Sequence, residues 1–191
     1  MDSRGVKDCW FVYFGEGVID TSYYGIPCKA LPTLDALGVN EKFYGTPEAI
    51  DGVVLISAGD LSGFEFGPGE LNPYEQFKTI KPTGVIQNGI YVFEGHFEIP
   101  LAAIGHQQKA ADLLAQGKLD EALIEAQRAV QLVPNSVASN VVRGDVLAAL
   151  NRKGEARAAY EQALKSAQTI HPEFQVGWIP GLQKKLADIK S

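Results

Sequence analysis

Three acidic residues near the ends of predicted strands are the simplest candidates for chemistry in this chain. Glu16, Asp20 and Asp60 lie where a hydrolase would place a pair of carboxylates for general acid and base catalysis. Solvated loops carry the same charges at the same spacing, so the pattern leaves both interpretations open. A small hydrolase is therefore one hypothesis for this sequence.

Metal and cofactor chemistry find little support in the sequence. His96, His106 and His171 are the only histidines, and no two have the spacing of a metal pair on one helix. The glycine-rich stretch at residues 63–69 lacks the Gly-Lys-Ser/Thr ending of a phosphate loop, and the acidic Glu65 and the adjoining Glu70 would repel phosphate. We expect no metal site and no cofactor.

The two cysteines, Cys9 and Cys28, are not arranged as a Cys-x-x-Cys motif. Cys9 falls in a predicted buried strand, where a small apolar side chain is suited. We expect buried thiols, and a disulfide becomes possible if this segment is extracytoplasmic.

The first hundred residues predict a small α/β sheet. Residues 9–15 are short, apolar and aromatic, and residues 52–58 are fully apolar and β-branched, which is typical of a central strand beside the first. Residues 20–32 contain two prolines and are predicted to be a helical turn followed by loop.

A helix and a hairpin follow in the same half. Residues 72–81 begin with Asn-Pro and predict a short helix that buries Phe77 and Ile80 on one face. Residues 83–94 contain Asn-Gly between apolar flanks, which predicts two short strands.

From residue 101 the apolar pattern becomes helical, and it repeats. Ala122 recurs as Ala156 and Ala129 as Ala163, which is a period of about 34 residues. The pattern predicts four helices in two antiparallel pairs, with a fifth that caps the open end. The predicted bounds are Leu101–Gln116, Asp120–Leu132, Ser136–Leu150, Glu155–Gln168 and Pro180–Ile189.

The pattern of small and aromatic residues over residues 103–170 resembles that of the tetratricopeptide repeat. The matching positions are Ala122, Ala129, Pro134, Gly144, Ala156, Tyr160 and Ala163. The first unit departs from the pattern with Ala110 where glycine is common and Ala126 where an aromatic residue is common. The fold class that follows is a small sheet domain, residues 1–100, before an all-α repeat array, residues 101–191.

The resemblance implies that the first helix of each pair lines a concave face that binds a protein or peptide partner. The opposite interpretation, that these helices only pack on the α/β domain, is equally open. The residues that would face the groove are Gln107, Ala111, Leu114, Asn140, Val141 and Asp145.

A second resemblance extends over most of the first half of the chain. Its segments are Tyr13-Phe14-Gly15, residues 20–26, residues 54–58, Asn72-Pro-Tyr74 and residues 85–93. In this order they resemble the soluble tail of bacterial multi-spanning glycosyltransferases, the relatives of dolichyl-phosphate-mannose protein mannosyltransferases.

The second resemblance implies a location and an inactive fragment. Members of that family carry this tail on the periplasmic or extracellular side, and many append tetratricopeptide repeats. They use a polyprenyl-phosphate sugar donor, and their catalytic carboxylates lie near membrane helices that this chain lacks. We therefore expect a piece of a longer enzyme, without catalytic residues of its own.

Charge and hydropathy narrow the range of partners. Residues 1–100 hold 14 acidic and 6 basic side chains, while residues 101–191 hold 9 acidic and 11 basic ones. Neither half has the basic face that a phosphate backbone requires, so nucleic acid is not an expected partner. No apolar run reaches the roughly 18 residues needed to cross a bilayer, so we expect no direct membrane insertion.

Three functions fit these observations, and we favour the first. The chain is a noncatalytic, periplasmic or otherwise extracytoplasmic domain of a membrane glycosyltransferase, with repeats that dock a protein or another part of the enzyme. Alternatively it is a free-standing cytoplasmic adaptor, or the small hydrolase of Glu16, Asp20 and Asp60.

Overall fold

The computed structural model describes residues 9–13, 23, 25–33, 43–63 and 74–190. They fall into two compact units. The first contains the described residues up to Ile99 except for Phe43–Gly45, and the second contains Phe43–Gly45 and the chain from Pro100 onward.

The first unit contains the expected small sheet, which among the described residues is mixed and has five strands. Its strand order is β2-β1-β3-β5-β4. β1 is parallel to both of its neighbours, whereas β5 is antiparallel to β3 and to β4. The strands are β1 Cys9–Val12, β2 Cys28–Ala30, β3 Ala49–Ser57, β4 Gly84–Ile86 and β5 Ile90–Glu98.

β3 is the central strand, which confirms the prediction from its apolar sequence. Val54 and Ile56 are fully buried on one face, and Leu55 is buried on the other. The strand begins at Ala49, three residues before the predicted start, because Ala49 pairs with Glu98 at the end of β5.

β2 was not predicted and corrects the expectation of loop and of free thiols. Its three residues pair in parallel with β1, and the register places Cys28 opposite Cys9. The two Cα atoms lie 4.3 Å apart and the sulfurs form a disulfide. The Leu31 N–H extends the pairing by donating to the carbonyl oxygen of Phe11 at 2.8 Å.

The segment predicted as a helix over residues 72–81 forms a 3-10 helix at Glu75–Thr79, and residues 72 and 73 lie outside the described residues. Phe77 packs on the sheet, with its ring centroid 5.0 Å from that of Phe93 and 4.8 Å from that of Phe97. Ile80 is partly exposed rather than buried, because the helix ends before it.

The predicted hairpin is confirmed. Gln87 and Asn88 both have positive φ, 48° and 58°, which is the backbone of a tight turn between two strands. The turn joins β4 to β5 and fixes the pairing of Ile86 with Ile90.

The second unit is the expected helical array. A short unpredicted helix, α1, belongs to the first unit, and the five predicted helices follow it. The bounds of these six helices are α1 Ala58–Ser62, α2 Ala102–Ala115, α3 Leu119–Leu132, α4 Val137–Ala149, α5 Lys153–Ala167 and α6 Pro172–Lys190.

α6 corrects the prediction that a helix begins at Pro180. The helix begins eight residues earlier and carries Pro180 in its interior. Trp178 and Ile179 pack against the apolar core of the array, so the turns before the proline are held by tertiary contact. That packing opposes the usual helix-breaking effect of proline.

The connections within the two helix pairs have the same geometry. Gly117 follows α2 with φ of 74°, and Asn151, the equivalent residue of the second repeat, follows α4 with φ of 57°. In both connections the next amide donates to the carbonyl oxygen five residues earlier, at 2.9 Å. The sequence period is therefore a repeat of backbone structure as well.

Candidate functional site

The two helices of each pair pack closely because small residues lie at their contact. A Cβ atom added at Gly144 would lie 2.6 Å from Cδ1 of Tyr160, so only glycine allows this ring to reach α4. In the first repeat the equivalent positions are Ala110 and Ala126, both fully buried. The smaller residue at 126 leaves room for the larger residue at 110.

α2 and α4 lie side by side, and three predicted groove residues mark their shared face. Nε2 of Gln107 donates to Oγ of Ser139 at 2.7 Å and so joins the two helices. Val141 is the equivalent of Gln107 in the second repeat, and Ala111 lies one turn after Gln107. Ala111 is exposed, whereas Gln107 and Val141 are partly buried.

Leu114 continues the same face of α2. It is partly buried and packs with its inner side against the apolar core of the array. Together with Ala111 and Val141 it forms a surface of small and apolar side chains.

Asn140 lies inside the array and not on its surface. It is fully buried, and its Nδ2 donates to the carbonyl oxygens of Pro134 at 2.9 Å and of Ser136 at 2.8 Å. The side chain thus holds the connection between α3 and α4. A ligand in the groove does not meet it directly.

Asp145 is engaged by two neighbouring helices. Its Oδ1 accepts hydrogen bonds from the Tyr160 hydroxyl at 2.6 Å and from Nζ of Lys185 at 2.5 Å. Burial, and then the hydrogen bond to Asp145, raise the pKa of Tyr160 above its ordinary value. Nζ of Lys185 also lies 5.4 Å from the centre of the Tyr160 ring. The carboxylate therefore attaches α6 to the array.

The groove face is consequently more apolar than its sequence suggests. The amide nitrogens of Gln107 and Asn140 and Oδ1 of Asp145 bond within the array. The side chains that remain for a partner are those of Ala111, Leu114 and Val141. Such a surface suits apolar side chains of a partner segment, which approach closely because the alanine is small.

A cluster of charged and polar side chains lies between α2 and α3 and was not predicted from the sequence. Oε2 of Glu125 lies 2.6 Å from Nδ1 of His106, and Oε1 accepts a hydrogen bond from Nζ of Lys109. Burial alone would raise the pKa of Glu125, but the hydrogen bonds from Lys109 and His106 outweigh it and hold the pKa below its ordinary value. The cluster joins the helices of the first repeat.

The second repeat lacks the same ion pair. Arg143 is the equivalent of Lys109, but the equivalent of Glu125 is Ala159. Arg143 is partly buried, and its Nε has no hydrogen-bond partner among the described residues. Burial lowers the pKa of its guanidinium. A comparison of charged positions between the two repeats was the signal that could have found this difference.

Of the three carboxylates proposed for a hydrolase, only that of Asp60 lies in the described part of the chain. Asp60 is fully buried at the start of α1, where its Oδ2 accepts a hydrogen bond from the Ser57 hydroxyl at 2.5 Å. Glu16 and Asp20 lie outside the described residues. The contact with Ser57 satisfies one of the two carboxylate oxygens of Asp60.

A second polar cluster, centred on His96, lies in the first unit. Its Nδ1 lies 2.8 Å from Asp51 and its Nε2 lies 3.4 Å from Glu98, all on the surface of the sheet. Asp51, and then Glu98, hold the pKa of His96 above its ordinary value. Among the described residues no group of three or more His, Cys, Asp or Glu side chains is placed to hold a metal ion.

In the comparisons with known proteins, the second half of the chain is similar to a known domain. Residues 97–191 match the family model described as a tetratricopeptide repeat-like domain. No curated protein matches the chain. In the part of the chain that the structure describes, no helix has the length and apolar character required to cross a membrane.

Proposed function

We propose that the α2–α4 face docks an apolar segment of a protein partner. The observation that carries the proposal is the apolar surface of Ala111, Leu114 and Val141 on a tetratricopeptide repeat-like domain. Repeats of this kind function mainly in protein–protein interaction. The engagement of Asp145 by Lys185 supports an apolar partner segment rather than a basic one.

The test is site-specific cross-linking in cells that make the protein. A photoreactive amino acid at the exposed Ala111 is expected to cross-link to a discrete protein band. The matched control places it at Ile124, which is 66% exposed on α3 rather than on the groove helices. Equal cross-linking from both positions, or none from Ala111, would argue against docking on this face.

The wider proposal is that this docking domain belongs to a membrane glycosyltransferase and lies on its extracytoplasmic side. The order of segments that resembles the enzyme tail supports it. The Cys9–Cys28 disulfide also supports it, because structural disulfides persist mainly in oxidising compartments. In this proposal the chain is noncatalytic, and the sugar-transfer chemistry resides elsewhere in the enzyme.

Sequencing the coding DNA upstream of the Met1 codon tests the wider proposal. We expect several in-frame apolar runs of about 20 residues, each long enough to cross a bilayer. A stop codon directly before Met1 would instead favour a free-standing adaptor. The repeat domain supports the adaptor alternative equally well, since an adaptor requires only a protein partner.

A further inference from the structure

One face of α2, distinct from the groove, already holds a short segment of chain. Gly105, Gln108 and Asp112 are spaced by three and four residues and so lie in one row along the helix. Phe43 and Tyr44, which lie far earlier in the sequence, contact this row within the second unit. We call the row the α2 edge.

Each residue of the α2 edge has a specific contact with the segment. The Phe43 N–H donates to Oε1 of Gln108 at 2.7 Å, and the Tyr44 hydroxyl donates to the carboxylate of Asp112. A Cβ atom added at Gly105 would lie 2.9 Å from the carbonyl carbon of Phe43. Only glycine at this position lets the backbone of the segment approach so closely.

The second repeat shows what the same face does elsewhere in the array. The equivalent positions on α4 are Ser139, Val142 and Val146. Ser139 accepts the hydrogen bond from Gln107 of the preceding repeat, and the two valines pack in the apolar core. On α4 this face therefore receives a preceding repeat.

The α2 edge differs from that pattern in a way that suits an extended chain. Where α4 has two valines, α2 has Gln108 and Asp112, which accept hydrogen bonds from a backbone amide and from a hydroxyl. Glycine replaces serine and leaves room for a peptide backbone. These substitutions fit an irregular segment with polar groups better than the apolar side of a helix.

We propose that the α2 edge is a binding site for an extended segment in which an aromatic residue precedes a tyrosine. Phe43–Gly45 fills the site in cis, and Phe43 is only 5% exposed there. A second segment with the same chemistry competes for the site. The array thus has two recognition surfaces, an apolar groove and this edge.

The test uses a fluorescent peptide with the sequence of residues 41–47 and the full-length chain. Phe43→Ala combined with Tyr44→Ala removes both side chains of the resident segment and weakens its hold on the edge, and we expect the peptide to bind this variant at least about tenfold more tightly than it binds the unaltered chain. Adding Gly105→Ala should abolish the gain. Adding Gly154→Ala is the matched control, because a Cβ atom there meets nothing within 4 Å.

Hydrogen exchange on the unaltered chain gives a readout that does not depend on the variants folding. Excess peptide should accelerate exchange of the Phe43 amide at least about tenfold and leave amides of α5 unchanged. A peptide in which phenylalanine replaces the tyrosine should compete less well, since it lacks the hydroxyl that reaches Asp112. Unchanged exchange at Phe43, or equal binding with Gly105→Ala and Gly154→Ala, would overturn the proposal.

Discussion

The ring of Tyr160 lies against the backbone of Gly144, so the size of the side chain at one position limits the size allowed at the other. The first repeat solves the same packing problem with Ala110 and Ala126, both fully buried. Taken separately, these alanines look like departures from the repeat pattern. Taken as a pair, they exchange volume between two facing helices and keep the contact close.

Gly144→Ala is expected to destabilise the protein by about 1–3 kcal/mol, since the new methyl group would lie 2.6 Å from Cδ1 of Tyr160. In a Tyr160→Ala background the same substitution should be neutral or slightly stabilising, because the ring is gone and alanine favours helix. Urea unfolding of the two single variants and the double variant measures the coupling between the residues.

The control for this cycle is Gly154→Ala, where an added Cβ atom meets no atom within 4 Å. It should raise stability by up to about 1 kcal/mol in both backgrounds. If the effect of Gly144→Ala is the same with tyrosine and with alanine at 160, the proposed contact does not govern the packing.

Residue spacing places some of the proposed groove residues on one helix face and could not reveal the contacts of the others. Ala111 and Leu114 follow from helical periodicity alone, because side chains three or four residues apart share a face. Asn140 and Asp145 depend on partners that periodicity does not reveal. One bonds to the backbone before its own helix, and the other meets Lys185, forty residues away in sequence.

At the scale of elements, helices were predicted more closely than strands. Apolar periodicity and the connections around Gly117 and Asn151 determine α2 to α5 locally. β2 has only three residues, and its pairing with β1 depends on contacts that no local pattern specifies. α6 extends before Pro180 because tertiary packing outweighs the local preference of proline.

The side-chain cluster of Glu125, His106 and Lys109 links α2 to α3, and its contribution to the stability of the fold depends on pH. The folded-state pKa of Glu125 lies below the ordinary value of 4.5. The ionised carboxylate therefore contributes stability above about pH 4.5, and this contribution is lost as the pH falls through the lower folded-state pKa. The side chain of Glu125 is only 15% exposed and that of His106 is 24% exposed, whereas Lys109 is 53% exposed, so solvent screens the contact with Lys109 more than the contact with His106.

Glu125→Gln is expected to lower the free energy of unfolding by about 1.5–3 kcal/mol at pH 7, the range for hydrogen bonds to charged groups. The difference from the unaltered chain should shrink as the pH falls below 4.5. Thermal unfolding from pH 7 to pH 3 measures it. Glu121→Gln, an exposed position on the same helix, is the control; an equal loss there, or a loss from Glu125→Gln that does not change with pH, would contradict the assignment.

At the scale of the whole molecule, the two units are stabilised by different means. The second unit repeats one backbone geometry in each helix pair and buries small residues between helices. The first unit is a five-stranded sheet in which a disulfide joins the outer strand β2 to β1. Reduction should therefore affect one unit and spare the other.

The two tryptophans allow this difference to be measured, since Trp10 lies in β1 and Trp178 lies in α6. Trp178→Phe leaves a fluorescence probe of the first unit, and Trp10→Phe leaves a probe of the second. The disulfide spans 19 residues, and a loop of that size contributes about 3 kcal/mol by constraining the unfolded chain.

We expect reductant to lower the unfolding midpoint seen by Trp10 and to leave the one seen by Trp178 unchanged. Cys9→Ala combined with Cys28→Ala should reproduce the lower midpoint without reductant and should not respond to reductant further. Identical shifts at both tryptophans would mean that the two units unfold as one cooperative structure. If the midpoint seen by Trp10 does not shift, the disulfide does not stabilise the first unit, and strand pairing alone holds β2 against β1.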